Sequence, residues 1–267
     1  MESVTVFCRL MTPTAFALVR IDLQTPDWAV QAALSVKTTA APIETWLPFL
    51  RMLANKAARS AEEAAERAGR RVSCKKGCGA CCRQLVAISL VEARALAKLV
   101  ADMPEPRQAE IRRRFTEALD RIAGSGVLGR DFSIGQEFDE SPLIETEQQR
   151  LGAAWFGLGV ACPFLENESC SIHDSRPLVC REYQVTSPSD GCARLYREPV
   201  ERVEMSVHLG QSLARATAKI AAVSVAMIPL VMALQLPADI DVALSRRHDP
   251  IGMLKILLGE IGDWRVE

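Results

Sequence analysis

The chain carries no excess of charge of either sign: 32 lysines and arginines stand against 33 aspartates and glutamates, a formal charge of −1. Without bulk positive charge the surface has no general attraction for a phosphate backbone, so no nucleic-acid partner is expected. Aromatic residues are scarce at 5%, which removes the stacking platform that single-strand binders use. There is no P-loop, no GxSxG elbow, no HExxH and no dinucleotide fingerprint, so the common nucleotide, hydrolase and metalloprotease chemistries have no anchor here. The first 23 residues hold Glu2, Arg9, Arg20 and Asp22 and no clean apolar stretch behind a basic start. A secretory leader is therefore not expected, and the cytoplasm is the expected compartment. Hydrophobic residues at 49% and charged residues at 24% over 267 positions are the proportions of a chain that buries a core without covalent staples.

Cysteine is abundant. Of nine, eight fall in two groups, Cys74, Cys78, Cys81 and Cys82, then Cys162, Cys170, Cys180 and Cys192, with Cys8 isolated and expected to be structural. In a reducing compartment clustered thiols are expected to be metal ligands or redox groups rather than disulfides, and an odd total agrees.

Between these groups the sequence reads mostly as helix. Residues 1–42 form an N-terminal extension with a β-flavoured piece at Thr14–Gln24 and a turn at Thr25-Pro26-Asp27. Ile43 to Arg71 is rich in Ala, Glu, Arg and Leu and predicts one or two helices stopping near Gly69, with a solvated charged face. Ser89-Leu90-Val91-Glu92 has capping-box form and opens a helix to about Asp102. A second helix from about Arg107 to Ala123 places Ile111, Phe115, Leu119 and Ile122 on a buried stripe, with Arg112-Arg113-Arg114 on a solvated face. Residues 127–141 read as a loop, and Ser141-Pro142 as the start of a short helix through Gln149. After residue 200 the chain reads as helical: Val203–Ala218 is amphipathic, and the 17-residue apolar run Ile220–Leu236 is short for a membrane span and interrupted by Pro229. It is expected to be a buried helix pair, with no membrane partner. The expected fold is thus mainly α, an irregular helical single domain with two cysteine-bearing loop segments and a short N-terminal β element. Its parts are the extension 1–42, a helical cysteine-cluster core over 43–200 and C-terminal helices over 201–267 packed on it.

The first group, Cys74-Lys-Lys-Gly-Cys78-Gly-Ala-Cys81-Cys82, is compact enough for a turn to aim several sulfurs at one point, and Gly77 and Gly79 suit a tight ligand loop. Cys81 and Cys82 are expected to point apart, so that one of them serves a second site. In the second group successive cysteines lie 8, 10 and 12 positions apart, too far for paired C-x2-C knuckles, and 80 residues separate the groups. Ligands must meet by folding, and a shared metal would close a long loop. Two centres of four thiolates, or one centre with spare thiols, both satisfy the count. Two zinc ions on eight thiolates leave net negative charge for Lys75, Lys76, Arg83, Arg176 and Arg181 to offset. Arg176, Arg181 and Tyr183 are expected to support sulfur or pair with Glu182 rather than bind substrate. His173, three residues after Cys170, suits a ligand or a capping role equally.

Together, Cys78-Gly-Ala-Cys81-Cys82 with Cys74 ahead of it, Cys162-Pro163-Phe164-Leu165, Cys170-Ser-Ile172-His173, Arg176-Pro177 and Cys180-Arg181 resemble the CxxCxxCC (YkgJ-type) cysteine-cluster family, a zinc- or iron-chelating domain. Coverage runs from about Cys74 to Cys192. Three residues rather than two separate Cys74 from Cys78, a departure that weakens Cys74 as a ligand. The resemblance implies metal chelation by these cysteines, Cys192 is counted with them as the fourth thiol of the second group, and the family's name leaves zinc against iron open. The chain also looks distantly similar to flagellin lysine N-methylases, without an S-adenosylmethionine site to carry that activity over. All-thiolate sites suit zinc and iron–sulfur clusters alike, and the irregular gaps tilt the expectation towards iron or a cluster, with zinc as alternative. Cys74-x3-Cys78-x2-Cys81 also has radical S-adenosylmethionine spacing, but Ala80 replaces the usual aromatic and no βα barrel pattern accompanies it. The function expected is a metal-binding protein with redox or metal-handling activity; a group-transfer enzyme with a structural metal is the alternative.

Overall fold

The computed structural model describes residues 5–11, 15–127, 146–224 and 226–266, with side chains described except at 7–11 and 264–266. Three strands open the chain: β1 (Thr5–Met11), β2 (Phe16–Gln24) and β3 (Ala29–Lys37) form an antiparallel meander. Period-two patterning explains β2, where Ala17, Val19, Ile21 and Leu23 are buried and Phe16, Leu18, Arg20 and Gln24 are exposed. The β2–β3 turn is closed by Thr25, whose Oγ1 accepts from the Trp28 N–H at 3.1 Å and donates to the Trp28 carbonyl at 2.8 Å.

Helix α1 (Leu47–Arg67) shares one buried core with this sheet, burying Leu50, Leu53, Ala54, Ala57 and Ala61 at helical spacing. β4 (Ala87–Ser89) leads into α2 (Leu90–Ala101), whose capping box forms as the sequence requires: Glu92 N–H donates to Ser89 Oγ and the Glu92 carboxylate accepts from Ser89 N–H. α3 (Glu105–Ser125) buries Ile111, Phe115, Ala118 and Ile122, with Leu119 partly buried. The loop expected at 127–141 and the helix start at Ser141-Pro142 lie almost wholly outside the described residues; what is described begins with the Thr146 cap of α4 (Glu147–Gly157). A hairpin of β5 (Leu165–Glu166) and β6 (Ser169–Cys170) follows, then α5 (Leu178–Glu182), α6 (Leu209–Ala221), β7 (Met227–Pro229), α7 (Ala238–Ser245), α8 (Pro250–Ile261) and β8 (Asp263–Val266).

Two expectations are corrected. The fold is mixed helix and sheet, 53% helical and 16% strand, rather than mainly α. The strands at the chain's start extend into a four-stranded sheet ordered β3-β2-β1-β8, in which β8 pairs parallel with β1 from the opposite end of the sequence. The apolar run Ile220–Leu236 is not a helix pair. α6 ends at Ala221, β7 pairs antiparallel with β4, and a 3-10 turn spans Leu230–Met232. Pro229 has no N–H to continue a helix, and an apolar run of this length has no period by which to tell strand from helix. Among the described residues no helix is long and apolar enough to cross a membrane.

The largest core joins the buried face of β2 and β3 to α1, α6 and α8. A second core, built on Leu96, Val100, Ile111, Phe115, Phe164 and Leu230, has Cys162 and Cys170 packed against its edge. That second core is what fixes the later cysteine segment.

Candidate metal centre

The loop carrying Cys74 and Cys78 turns at Gly77, whose φ of +89° lies in the left-handed region that glycine enters without strain. The turn closes with Cys78 N–H donating to the Lys75 carbonyl at 3.1 Å, and Ala80–Arg83 then forms a 3-10 turn carrying Cys81 and Cys82. Backbone bonds stitch this loop to the later segment. Ser73 N–H donates to the Val185 carbonyl at 2.9 Å, Val185 N–H donates to Cys74 Sγ at 3.4 Å, and Cys162 N–H donates to the Cys82 carbonyl at 2.7 Å. Segments 80 residues apart in sequence therefore run side by side.

Gly79 permits a still closer approach. A Cβ placed there would stand 2.5 Å from Glu168 Oε2, 2.7 Å from Leu165 Cδ1 and 3.1 Å from Glu168 Cα. Across this contact the Arg83 guanidinium binds Glu168 at both oxygens, at 2.9 and 2.7 Å, and donates to the Gly79 carbonyl at 3.0 Å. Asn167 and Glu168 hold the hairpin tip with φ of 49° and 55°, a tight turn that presents Glu168 to Arg83. Gly79→Ala is expected to destabilise the protein by about 1–3 kcal/mol through overpacking. Denaturant unfolding checks this, and a wild-type midpoint would contradict the close packing of the two loops.

The cysteines form two overlapping neighbourhoods. Burial raises the Cys74 thiol above its ordinary pKa, with like charge from Cys78 and Cys81 adding to the effect. Burial pushes Cys192 up to about 11, and Cys78, Cys74 and Cys81 act on it in the same sense. Deeper in, burial pushes Cys162 up to about 12, with Cys170 and Cys81 contributing. Cys180 is raised well above the usual thiol range by desolvation, then by Cys162, Cys81 and Cys170. Cys170 is likewise raised by burial, while Arg176 and Arg181 pull it down. Cys81 belongs to both neighbourhoods. Its own pKa is raised chiefly by a hydrogen bond with the Cys82 thiol. The adjacent pair thus does not point apart as expected: a helical turn keeps successive side chains on neighbouring rather than opposite faces.

All eight thiols are free, and only Cys192 is fully buried, while Cys74 is exposed. Among the described residues no three His, Cys, Asp or Glu side chains already stand at metal-holding distances around one point. The side chain of Cys8 is outside the described residues. His173 is exposed, with Nδ1 3.7 Å from Asp174 Oδ1, and it opens a short 3-10 turn.

Several positioning residues escaped the sequence. Glu92, legible only as a cap, is buried and also accepts the Leu178 N–H at 2.8 Å through Oε1, which anchors the start of α5 and so Cys180. Burial raises its pKa against those hydrogen bonds. Arg114, expected on a solvated face, donates to Glu166 Oε1 at 2.8 Å and, with Arg107, ties α3 to the cysteine hairpin. Arg181 does not pair with Glu182; Glu182 Oε1 instead accepts the Gly210 N–H at 3.0 Å. The pairing Arg–Glu–hairpin is invisible in sequence because its members lie 52 positions or more apart.

Clustered free thiols on two stitched loops, flanked by arginines, define a cysteine-rich metal-chelating protein by the chemistry of their donor atoms. Residues 73–202 match the model of the CxxCxxCC family, described as "Putative zinc- or iron-chelating domain". The matched span includes all eight clustered cysteines. No curated protein and no solved structure shows a significant match, and a likeness to flagellin lysine N-methylases is not shown.

Proposed function

We propose that the two cysteine groups hold iron in an iron–sulfur centre, with zinc the alternative occupant of the same thiolates. Cys81, Cys162, Cys170 and Cys180 form the inner set; Cys74, Cys78 and Cys192 form the outer set, with Cys82 beside Cys81 completing it. The observation that carries the reading is the stitching of the two cysteine loops, where Cys162 N–H donates to the Cys82 carbonyl at 2.7 Å and Val185 N–H donates to Cys74 Sγ at 3.4 Å. Thiols brought together from both loops suit one shared polynuclear centre better than two unrelated mononuclear ones. The donor set fits in number and softness, since four thiolates serve either an iron–sulfur cluster or zinc.

Burial holds the Cys162 and Cys180 thiols protonated at neutral pH, so a metal displaces their protons on binding and holds them as thiolates. When bound, an iron–sulfur centre would supply one-electron redox chemistry. The residues of the chain do the rest: Arg176 and Arg181 lower the cost of thiolate charge at Cys170, Glu92 fixes the helix bearing Cys180, and Phe164 shields the inner set from water. Within the outer set Cys74 is exposed, which supports approach of an electron partner through that residue. A cytoplasmic setting, where clustered thiols stay reduced, goes with this reading.

Anaerobic purification followed by elemental analysis and an absorption spectrum tests it. Iron with sulfide and a broad visible absorption is the expected result; stoichiometric zinc in a colourless protein would replace iron by the alternative, and neither metal would remove the proposal.

A further inference from the structure

A cavity of about 780 Å³ opens between the start of β3, one face of α1 and the loop before α5, with Arg181 in its lining. Four cations line it, Arg51, Lys56, Arg59 and Arg181, against one carboxylate, that of Asp174. Arg51, Asn55 and Arg59 recur every fourth residue, so α1 presents them as one stripe. In a chain whose total charge nearly cancels, such a concentration is local and specific.

These cations also lack the partners found elsewhere in the molecule. Arg83, Arg94, Arg113, Arg114 and Arg215 each bind a carboxylate. By contrast, among the described residues neither the Arg51 nor the Arg59 side chain makes a hydrogen bond or a close ion pair, although the buried Glu92 carboxylate acts on Arg51 through space. The Nε of Arg51 is buried with no partner. Lys56 reaches only the Gln31 carbonyl, at 3.4 Å. Arg181 is 4% exposed and held rigidly: Nε donates to the Arg176 carbonyl at 3.1 Å, Nη1 to Asn55 Oδ1 at 2.8 Å and Nη2 to the Asp174 carbonyl at 2.6 Å. All three acceptors are neutral. A guanidinium has five N–H donors, so Arg181 keeps one free on each Nη and has no carboxylate hydrogen-bonded to it. The carboxylate of Asp174 sits at the exposed rim beside His173 and does not cancel the stripe.

We infer that this cavity binds a small organic oxyanion, a phosphate ester or a polycarboxylate, with its charged group on Arg51, Arg59 and Arg181. Planar guanidinium forks match the paired oxygens of both groups. The volume lies in the range of small-molecule sites, and a lone inorganic anion would leave most of it unfilled. Pro48, Met52 and Val30 supply apolar wall for the organic part. The inference stands on the cavity alone and does not require metal at the cysteines.

The test is calorimetric titration of the full-length protein, as purified with its metal content measured, using adenosine monophosphate and citrate in separate arms at constant ionic strength. Saturable one-to-one binding of at least one arm is expected, and the arm that binds identifies the phosphate or the carboxylate class. Arg59→Gln, an exposed change that leaves the core intact, is expected to weaken binding roughly tenfold through loss of a charge-assisted contact. Lys37→Gln, on β3 but outside the cavity, should leave it unchanged. Absence of saturable binding in both arms, or equal affinity in Arg59→Gln with wild-type melting, would overturn the inference. Metal content unaltered in Arg59→Gln separates this result from any failure at the cysteines.

Discussion

Stripping the metal from the purified protein with a chelator is expected to lower its thermal midpoint by about 10 °C or more, since a loss of several kcal/mol moves a domain of this size at about 2–4 °C per kcal/mol. A metal bound only by the folded chain contributes its binding energy to folding, about 10–16 kcal/mol for structural zinc in small peptides. Here only part of that is at stake, because the sheet, α1, α6 and α8 share a large core that contains none of the eight clustered cysteines. The second core is different. Cys162 and Cys170 lie against it, so loss of metal should loosen the hairpin β5–β6 and the α3 contacts that depend on it. Differential scanning calorimetry before and after chelation, with metal loss verified, measures the effect; an unchanged midpoint would deny the metal a structural role.

Phe164→Ala is expected to cost about 3–5 kcal/mol, the range for emptying a buried aromatic site. Phe164 is 1% exposed and meets Phe115 edge to face, ring centroids 5.4 Å apart at 78°. It also sits two residues after Cys162, and its carbonyl accepts both the Ser171 N–H and the Ser171 hydroxyl at 2.9 Å. The ring therefore fills the second core, while the main-chain carbonyl of the same residue closes the loop that carries Cys162 and Cys170, so loss of the ring removes the packing that seats that loop. Besides lower stability in urea, the variant should retain less metal per chain. A loss below about 1 kcal/mol would mean that the hairpin does not depend on this packing.

What the sequence made legible was local. The Ser89–Glu92 capping box, the stripe of α3 and the helix ending near Gly69 follow from neighbours three and four residues apart, and they form as read. The candidate cysteines were legible because eight thiols in two groups are hard to explain as core residues. The illegible parts depend on partners remote in sequence. β8 joins the sheet by pairing with β1 across the whole chain, and β7 finds β4 across about 140 positions, Pro229 pairing with Ala87, Ile228 with Ile88 and Met227 with Ser89. Neither pairing leaves a periodic trace in a strand of three or four residues. The apolar run after Ala221 hides its strand and turn for the same reason: hydrophobicity without period does not distinguish strand and turn from helix. The basic stripe of α1 was visible as charge, but its meaning depends on Arg181, 126 positions from Asn55, closing the cavity opposite it.

Both groups of thiols must serve the same inorganic centre if the proposed function holds. Metal content per chain, measured on anaerobically purified Cys78→Ser and Cys162→Ser proteins beside the wild type, tests that most directly. Each substitution, though confined to one segment, should remove metal from a centre the other segment also holds, lowering iron or zinc together in both variants. Retention of the full wild-type metal content by both variants would contradict it.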